Sequence, residues 1–321
     1  MTKPVTLADL KPKEKQPTSL TTLRNWVNLA EQALDGPSGG GRTGWLIAST
    51  VVIATLQRAV DAQGTATFLL KGGTMLQHRL GNGARATKDV DGLIRGDLEE
   101  FLKTLDDALA EPWGPLTFRR SEIETIQAPT RVIPARRVYI YVLFKGQVWR
   151  KIQVELSSDE GNAGETAEQV FAPTLSPVGL PTPDFLATMA MRYQIAQKLH
   201  ACSDPHDPPV WVNDRPRDIV DLVLLRQLVR TEGHPTSTEI REAAEAIFAA
   251  RAADAIALGR PVRTWPPTAT AHPHWQVDYG KAAQAAHLDM TLTDAVNLVN
   301  DWITELNQAG ISRVVGSKSA A

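Results

Sequence analysis

Apolar positions change their period along the chain. From residue 18 to 34, Leu20, Leu23, Trp26, Val27, Leu29, Ala30 and Leu34 recur at helical spacing and the run stops at Gly36-Pro37, which predicts an amphipathic helix. Residues 45–62 are apolar on most sides and predict a largely buried helix. The period then shortens. Residues 67–70 read as a short apolar strand, 75–80 as a helix, 88–94 as a second strand, and 97–109 as an amphipathic helix with Asp97 near its cap. Three more strands are expected over 116–126, 137–144 and 148–156, the last two joined by a hairpin through Lys145-Gly146. In the final strand Ile152, Val154 and Leu156 face one way, Gln153 and Glu155 the other.

After about residue 160 strands are expected to stop. Helices are predicted at 183–201, 215–230, 237–258, 281–288 and 293–308, separated by Pro-rich joints at 205–209 and 261–273. The expected class is α+β: a mixed sheet flanked by helices within residues 1–160, then an all-helical half, 161–321. A polar arm at 1–17 reads as mobile. The glycine-rich run at 36–44 lacks the Lys-Ser/Thr ending of a P-loop and reads as a linker.

Composition narrows the function classes. A chain of 321 residues with 43% hydrophobic and 22% charged residues builds a packed core, and the net charge of −2 confines any nucleic-acid surface to a local patch. Cys202 is the single cysteine, which excludes an intrachain disulfide and a Cys-rich zinc site. The N-terminus lacks a signal-peptide pattern, and the longest apolar stretch falls short of the ~20 residues a bilayer span needs. The expectation is a cytoplasmic protein with no membrane partner.

The candidate chemistry sits in the strand-rich half. Lys71-Gly72-Gly73-Thr74 follows a strand, and after fourteen further residues comes Asp89-Val90-Asp91. Two glycines let the backbone turn sharply, and amides at a helix start face an anion such as a triphosphate, with the Thr74 hydroxyl as a further donor. On a strand, Asp89 and Asp91 share one face, an arrangement that a hard divalent cation stabilises. Each piece alone is an ordinary turn or a solvated pair; their order carries the signal.

That order is the signature of the DNA polymerase β-like nucleotidyltransferase superfamily. Leu70 to Thr74, with Arg85-x-Thr87-x-Asp89-Val90-Asp91, resembles the AbiEii-type nucleotidyltransferase toxins of bacterial toxin–antitoxin systems. Ala196-Gln197-Lys198-Leu199-His200-Ala201 and Arg217-Asp218-Ile219-Val220-Asp221-Leu222 look like that family's helical Lys motif and its Arg-Asp-x-x-Asp-Leu motif. The resemblance spans about residues 65–230.

The resemblance implies transfer of a nucleoside monophosphate from an NTP to an acceptor hydroxyl with release of pyrophosphate. Asp89 and Asp91 would hold Mg²⁺ or Mn²⁺, with Glu155 in the place of a third carboxylate, commonly Asp, or else a surface residue. Gly72, Gly73 and Thr74 would grip phosphates; Lys71 and Arg85 flank them. Lys198 would meet the triphosphate, or snorkel from an amphipathic helix. Asp218 is favoured over Asp221 as the acidic residue facing the site, Asp221 being also able to pair with Arg217. The implied acceptor is RNA, especially the tRNA 3′ end, and the implied protein partner is an antitoxin.

Between residues 119 and 151, Arg119, Arg120, Arg131, Arg136, Arg137, Lys145, Arg150 and Lys151 outnumber Glu122 and Glu124, with Tyr139, Tyr141 and Trp149 interleaved. This reads as an RNA track or as a solvated strand face. His272-Pro273-His274-Trp275 reads as a loop, and Cys202 as core. A small-molecule nucleotidyltransferase and a non-enzymatic nucleotide binder are the competing readings.

Overall fold

The computed structural model describes residues 6–36, 41–127 and 130–309. Of the predicted arm and the glycine-rich run, residues 1–5 and 37–40 lie outside the described residues.

Two helices lead. In α1 (Leu20–Leu34) the Ser19 hydroxyl accepts from the Thr22 amide at 3.1 Å, supplying a partner that the first turn lacks. Helix α2 (Arg42–Leu56) is buried on nearly every side, as its apolar sequence predicts. Strand β1 (Phe68–Lys71) runs directly into α3 (Gly72–Leu80), and β2 (Asp89–Ile94) pairs antiparallel with β1. Helix α4 (Leu98–Ala110) is capped by Asp97, as expected, through the Glu100 amide at 2.8 Å. Strands β3 (Leu116–Arg120), β4 (Glu124–Thr125), β5 (Arg136–Phe144) and β6 (Gln147–Ser158) follow, the last two as the predicted hairpin.

Strands do not stop at residue 160. Strand β7 (Ala167–Phe171) and strand β8 (Phe185–Met189) join the same sheet, so the helix expected at 183–201 is instead β8 followed by α5 (Met191–Cys202). The run Phe-Leu-Ala-Thr-Met is short and apolar, and such runs do not distinguish strand from buried helix; its place between β1 and β7 decides it. The sheet order is β3-β5-β6-β2-β1-β8-β7, with β4 paired to β5. It is mixed, β2–β6 and β1–β8 being parallel. Helices α6 (Pro216–Glu232), α7 (Ser237–Ala257), α8 (Gln276–Ala285) and α9 (Leu292–Ala309) complete the described residues.

Three apolar clusters position the site. The first packs α1, α2 and α4 on one sheet face, through residues such as Val27, Ile53, Leu105 and Val154. The second joins α5, α6, α8 and α9 around Leu222, Trp275 and Trp302. The third seats α5 and α7 on the other sheet face at β1, β2 and β8, using Leu69, Leu93, Met189, Tyr193 and Ile247. That second face is left half-buried to exposed at Tyr139, Tyr141, Lys151 and Gln153 on β5 and β6. Among the described residues no helix is long and apolar enough to cross a membrane.

Candidate functional site

Lys71 and Asp91 are register partners across β1 and β2, which brings the glycine turn beside the carboxylate pair. Gly72 has φ +70°, in the left-handed region, and a Cβ added there would overlap the Asp91 carboxylate. The turn and the acid are therefore in contact. Two of the expected donors are engaged inside the protein. The Gly72 N–H donates to Gln194 Oε1 at 3.0 Å while Gln194 Nε2 donates to the Gly72 carbonyl at 2.8 Å, so one carboxamide clamps both sides of the turn. Thr74 is fully buried and its hydroxyl donates to the Asp89 carbonyl at 2.5 Å, tying α3 to β2. A buried hydroxyl beside a free carbonyl bonds to it, which spacing alone does not reveal. The Gly73 amide remains in the first turn of α3, where a helix leaves its N–H groups unpaired.

Asp89 and Asp91 share the β2 face that carries Leu93 against α5 and α7. Asp89 Oδ1 accepts from Thr87 Oγ1 at 2.8 Å. Burial, and then the negative charges of Asp89 and Glu155, push the Asp91 carboxyl up to about 7, against the pull of Lys71. Glu155 is the register partner of Asp91 on β6; its Oε1 accepts from Arg137 Nη2 at 2.7 Å and from Gln153 Nε2 at 3.0 Å. Among the described residues no group of three or more His, Cys, Asp or Glu side chains is arranged to hold a metal ion. The carboxylates beside the glycine turn are the Asp89/Asp91 pair. Two carboxylates crowded so that one holds its proton to about 7 fit a divalent ion of the kind held by one or two carboxylates and completed by phosphate and water oxygens.

The helical half supplies the opposite wall. Lys198 on α5 donates to Asp218 Oδ1 and to Asp221 Oδ2, each at 2.7 Å, and Arg85 grips Asp221 through two bonds of 2.9 Å. Lys198 is 7% exposed, so it does not snorkel, and Asp221 takes Arg85 and Lys198 rather than Arg217. Burial opposes ionisation of all three buried members. The paired charges outweigh it, holding Asp221 below, and Lys198 and Arg85 above, their ordinary values.

Lys71, Gly72, Asp91, Lys198 and Asp218 line one cleft of about 500 Å³. Asp89, Gly73, Thr74, Arg85, Glu155 and Asp221 stand behind or beside them. Sequence reasoning missed Gln194, although it lies one turn before Lys198 on the same helix, a spacing that shares a face. It also missed a cationic cluster deeper in the cleft. Glu160 accepts from Arg251, Arg131 and Gln197, and His200 Nδ1 accepts from Arg251 at 2.8 Å and Arg263 at 2.9 Å. Burial and the two guanidiniums drive His200 down to about 2, so its ring is neutral. Burial likewise lowers Lys71, whose Nζ donates to Ser157 at 2.6 Å. Arg251 and Arg263 lie beyond the span of the motifs, so nothing in the sequence marked them.

The basic stretch divides by strand alternation. Arg120, Arg136 and Arg150 point to the helix-covered face and pair with Asp106, Glu99 and Glu31, while Trp149 is core. Arg119, Arg137 and Lys151 share the open face with the tyrosines. Arg119 lies 4.4 Å from the Tyr141 ring centroid and Lys151 lies 3.7 Å from that of Tyr139. Cys202 is buried and donates to the Leu199 carbonyl, with no bond to His200. The 272–275 segment begins as a loop and closes into a short turn that buries Trp275.

Solved structures similar to this chain include a protein described as a nucleotidyltransferase from H. pylori, 14% identical, covering 83% of this chain and 96% of that one with a TM-score of 0.42. The MenT4 nucleotidyltransferase toxin from Mycobacterium tuberculosis is 15% identical, covering 90% and 99% with a TM-score of 0.47. An antigenic nucleotidyltransferase-like protein from Paracoccidioides brasiliensis is 13% identical, covering 68% and 94% with a TM-score of 0.35. No curated protein matches. The family model described as nucleotidyl transferase AbiEii toxin, Type IV TA system, matches residues 54–297, so the chain belongs to that family: a toxin-class nucleotidyltransferase that uses an NTP and has an antitoxin counterpart.

Proposed function

We propose that the cleft transfers a nucleoside monophosphate from an NTP to an RNA hydroxyl, at the 3′ acceptor end of tRNA, and so blocks translation in the cytoplasm. The observation that carries this reading is the packing of Asp91 on Gly72 in the cleft that Lys198 and Asp218 also line. Asp89 and Asp91 are the residues to hold Mg²⁺ or Mn²⁺, and Glu155, tethered by Arg137, backs them. When bound, the ion supplies charge neutralisation on the phosphates and lowers the pKa of the attacking hydroxyl. Lys198 donates two of its three N–H bonds to Asp218 and Asp221 and keeps one for a phosphate oxygen. The Gly73 amide meets the same phosphates, and Gln194 fixes the turn that presents it. The sheet, which β7 and β8 extend past residue 160, carries the carboxylates and the glycine turn, while the helices from α5 onward close the cleft and help hold the acceptor.

For the acceptor, the open sheet face supports RNA. Arg119 and Lys151 over Tyr141 and Tyr139 offer cations for a backbone beside rings for unpaired bases, on the face that carries Glu155. The test is incubation with each labelled NTP, Mg²⁺ and total RNA. Label is expected on tRNA and lost with Asp89→Ala. Label on small metabolites alone would reject the RNA acceptor in favour of a small-molecule one. No transfer with any NTP would reject the reading entirely.

A further inference from the structure

Trp211 stands apart from the other tryptophans. The chain has eight, and seven lie in or against an apolar cluster; Trp211 belongs to none. It instead lines the cleft that holds Lys71, Asp91 and Lys198. Its ring is half-buried, and its neighbours Val210 and Val212 are 84% and 52% exposed. Burial of a large aromatic surface normally stabilises the fold, and here that contribution is left incomplete.

The loop that carries the ring is nonetheless tied down at several points. The Asp207 and Trp211 backbones exchange two hydrogen bonds, of 2.8 and 2.9 Å, closing a tight loop that contains Pro208 and Pro209. Asn213, 1% exposed, anchors that loop. Its side chain donates to the carbonyls of Cys202 and Asp204, and its own carbonyl accepts from Trp275 Nε1 at 2.7 Å. Arg260 covers one face of the indole, 4.9 Å from the centroid. Its own position is set by the end of α7, where Gly259 takes φ +63° and the Arg260 amide donates to the Ala255 carbonyl at 2.8 Å. An aromatic plane backed by a cation, lining the same cleft as the carboxylates and lysines, matches the two parts of a nucleotide: flat base and charged phosphates.

We infer that Trp211, backed by Arg260, is the platform on which the base of the bound nucleoside triphosphate stacks. This rests on the proposed NTP site and adds to it the residue that grips the base. Stacking tolerates every base, because each has a π-face, so the platform sets affinity more than base choice.

Calorimetric titration of the full chain separates the possibilities, using non-hydrolysable α,β-methylene NTPs and, in parallel, inorganic tripolyphosphate, all with Mg²⁺. Trp211→Ala is expected to weaken nucleotide binding roughly tenfold and leave tripolyphosphate binding unchanged, while Trp211→Phe retains most of the affinity. Nucleotide affinity unchanged in Trp211→Ala would overturn the platform and leave the transfer reading standing. Equal loss for both ligands would also overturn it, as a structural effect. Failure of the unmutated chain to bind any nucleotide would overturn the transfer reading and the platform together.

Discussion

Gly72 and Asp91 occupy the same space to within one methyl group: the backbone of the turn lies where any side chain would collide with the carboxylate. Gly72→Ala combines that collision with a φ of +70°. It is expected to cost about 1–3 kcal/mol of stability and to remove at least about 100-fold of transfer activity, by displacing Asp91 from the turn. Chemical denaturation and a labelled-NTP assay read the two losses separately.

Asp91→Asn should abolish transfer yet raise the melting temperature of the metal-free protein. The sign follows from the carboxyl's position at about 7, above its ordinary range. Between that ordinary range and 7 the fold binds a proton that the unfolded chain does not, so stability falls as pH rises through this window. At pH 8 the asparagine variant escapes that loss. Equal melting temperatures for the two proteins at pH 8 would refute the crowding argument.

Lys198→Ala leaves Asp218 and Asp221 without their shared ammonium. Breaking a buried ion pair by removing one partner typically costs about 3–5 kcal/mol. Because Lys198 and Asp221 touch, Lys198→Ala with Asp221→Ala should destabilise by less than the sum of the single changes. A double-mutant cycle by urea denaturation gives the coupling directly.

How much of this was legible in the sequence depends on how local each signal is. The Asp89/Asp91 pair, the glycine turn and the β5–β6 hairpin declare themselves within a few residues. Strands β7 and β8 did not: β8 is a five-residue apolar stretch, β7 (Ala-Glu-Gln-Val-Phe) mixes polar and apolar residues, and both are assigned by what flanks them in space. The inward engagement of Thr74 and Gly72 depends on partners 15 and 122 positions away. Arg251 and Arg263 carried no local mark at all; only the fold brings them to His200.

His200 makes stability depend on pH. Its ring stays neutral in the fold, at about 2, whereas an unfolded histidine titrates near 6.5. The unfolded state therefore binds the extra proton below that ordinary value, and stability falls as pH drops from 6.5, by up to about 1.4 kcal/mol per unit. His200→Gln should flatten this slope. Melting temperatures between pH 5 and 8 measure it, and an unchanged slope would remove His200 as the cause.

Replacing Arg119 and Lys151 together by alanine is expected to weaken binding of single-stranded RNA and to lower the salt dependence of that binding by about 0.7 per lost phosphate contact. Filter binding across a salt series tests this, and an unaltered slope would exclude the open sheet face as the track.

Strand β8 pairs directly with β1 and leads at once into the helix bearing Gln194 and Lys198. The clamp on the glycine turn is Gln194, and the far side of the cleft is Lys198 with Asp218 and Asp221, so both are built from residues 194–221. A stretch of chain that carries both aspartates but not α5 and α6 therefore holds only one wall of the cleft.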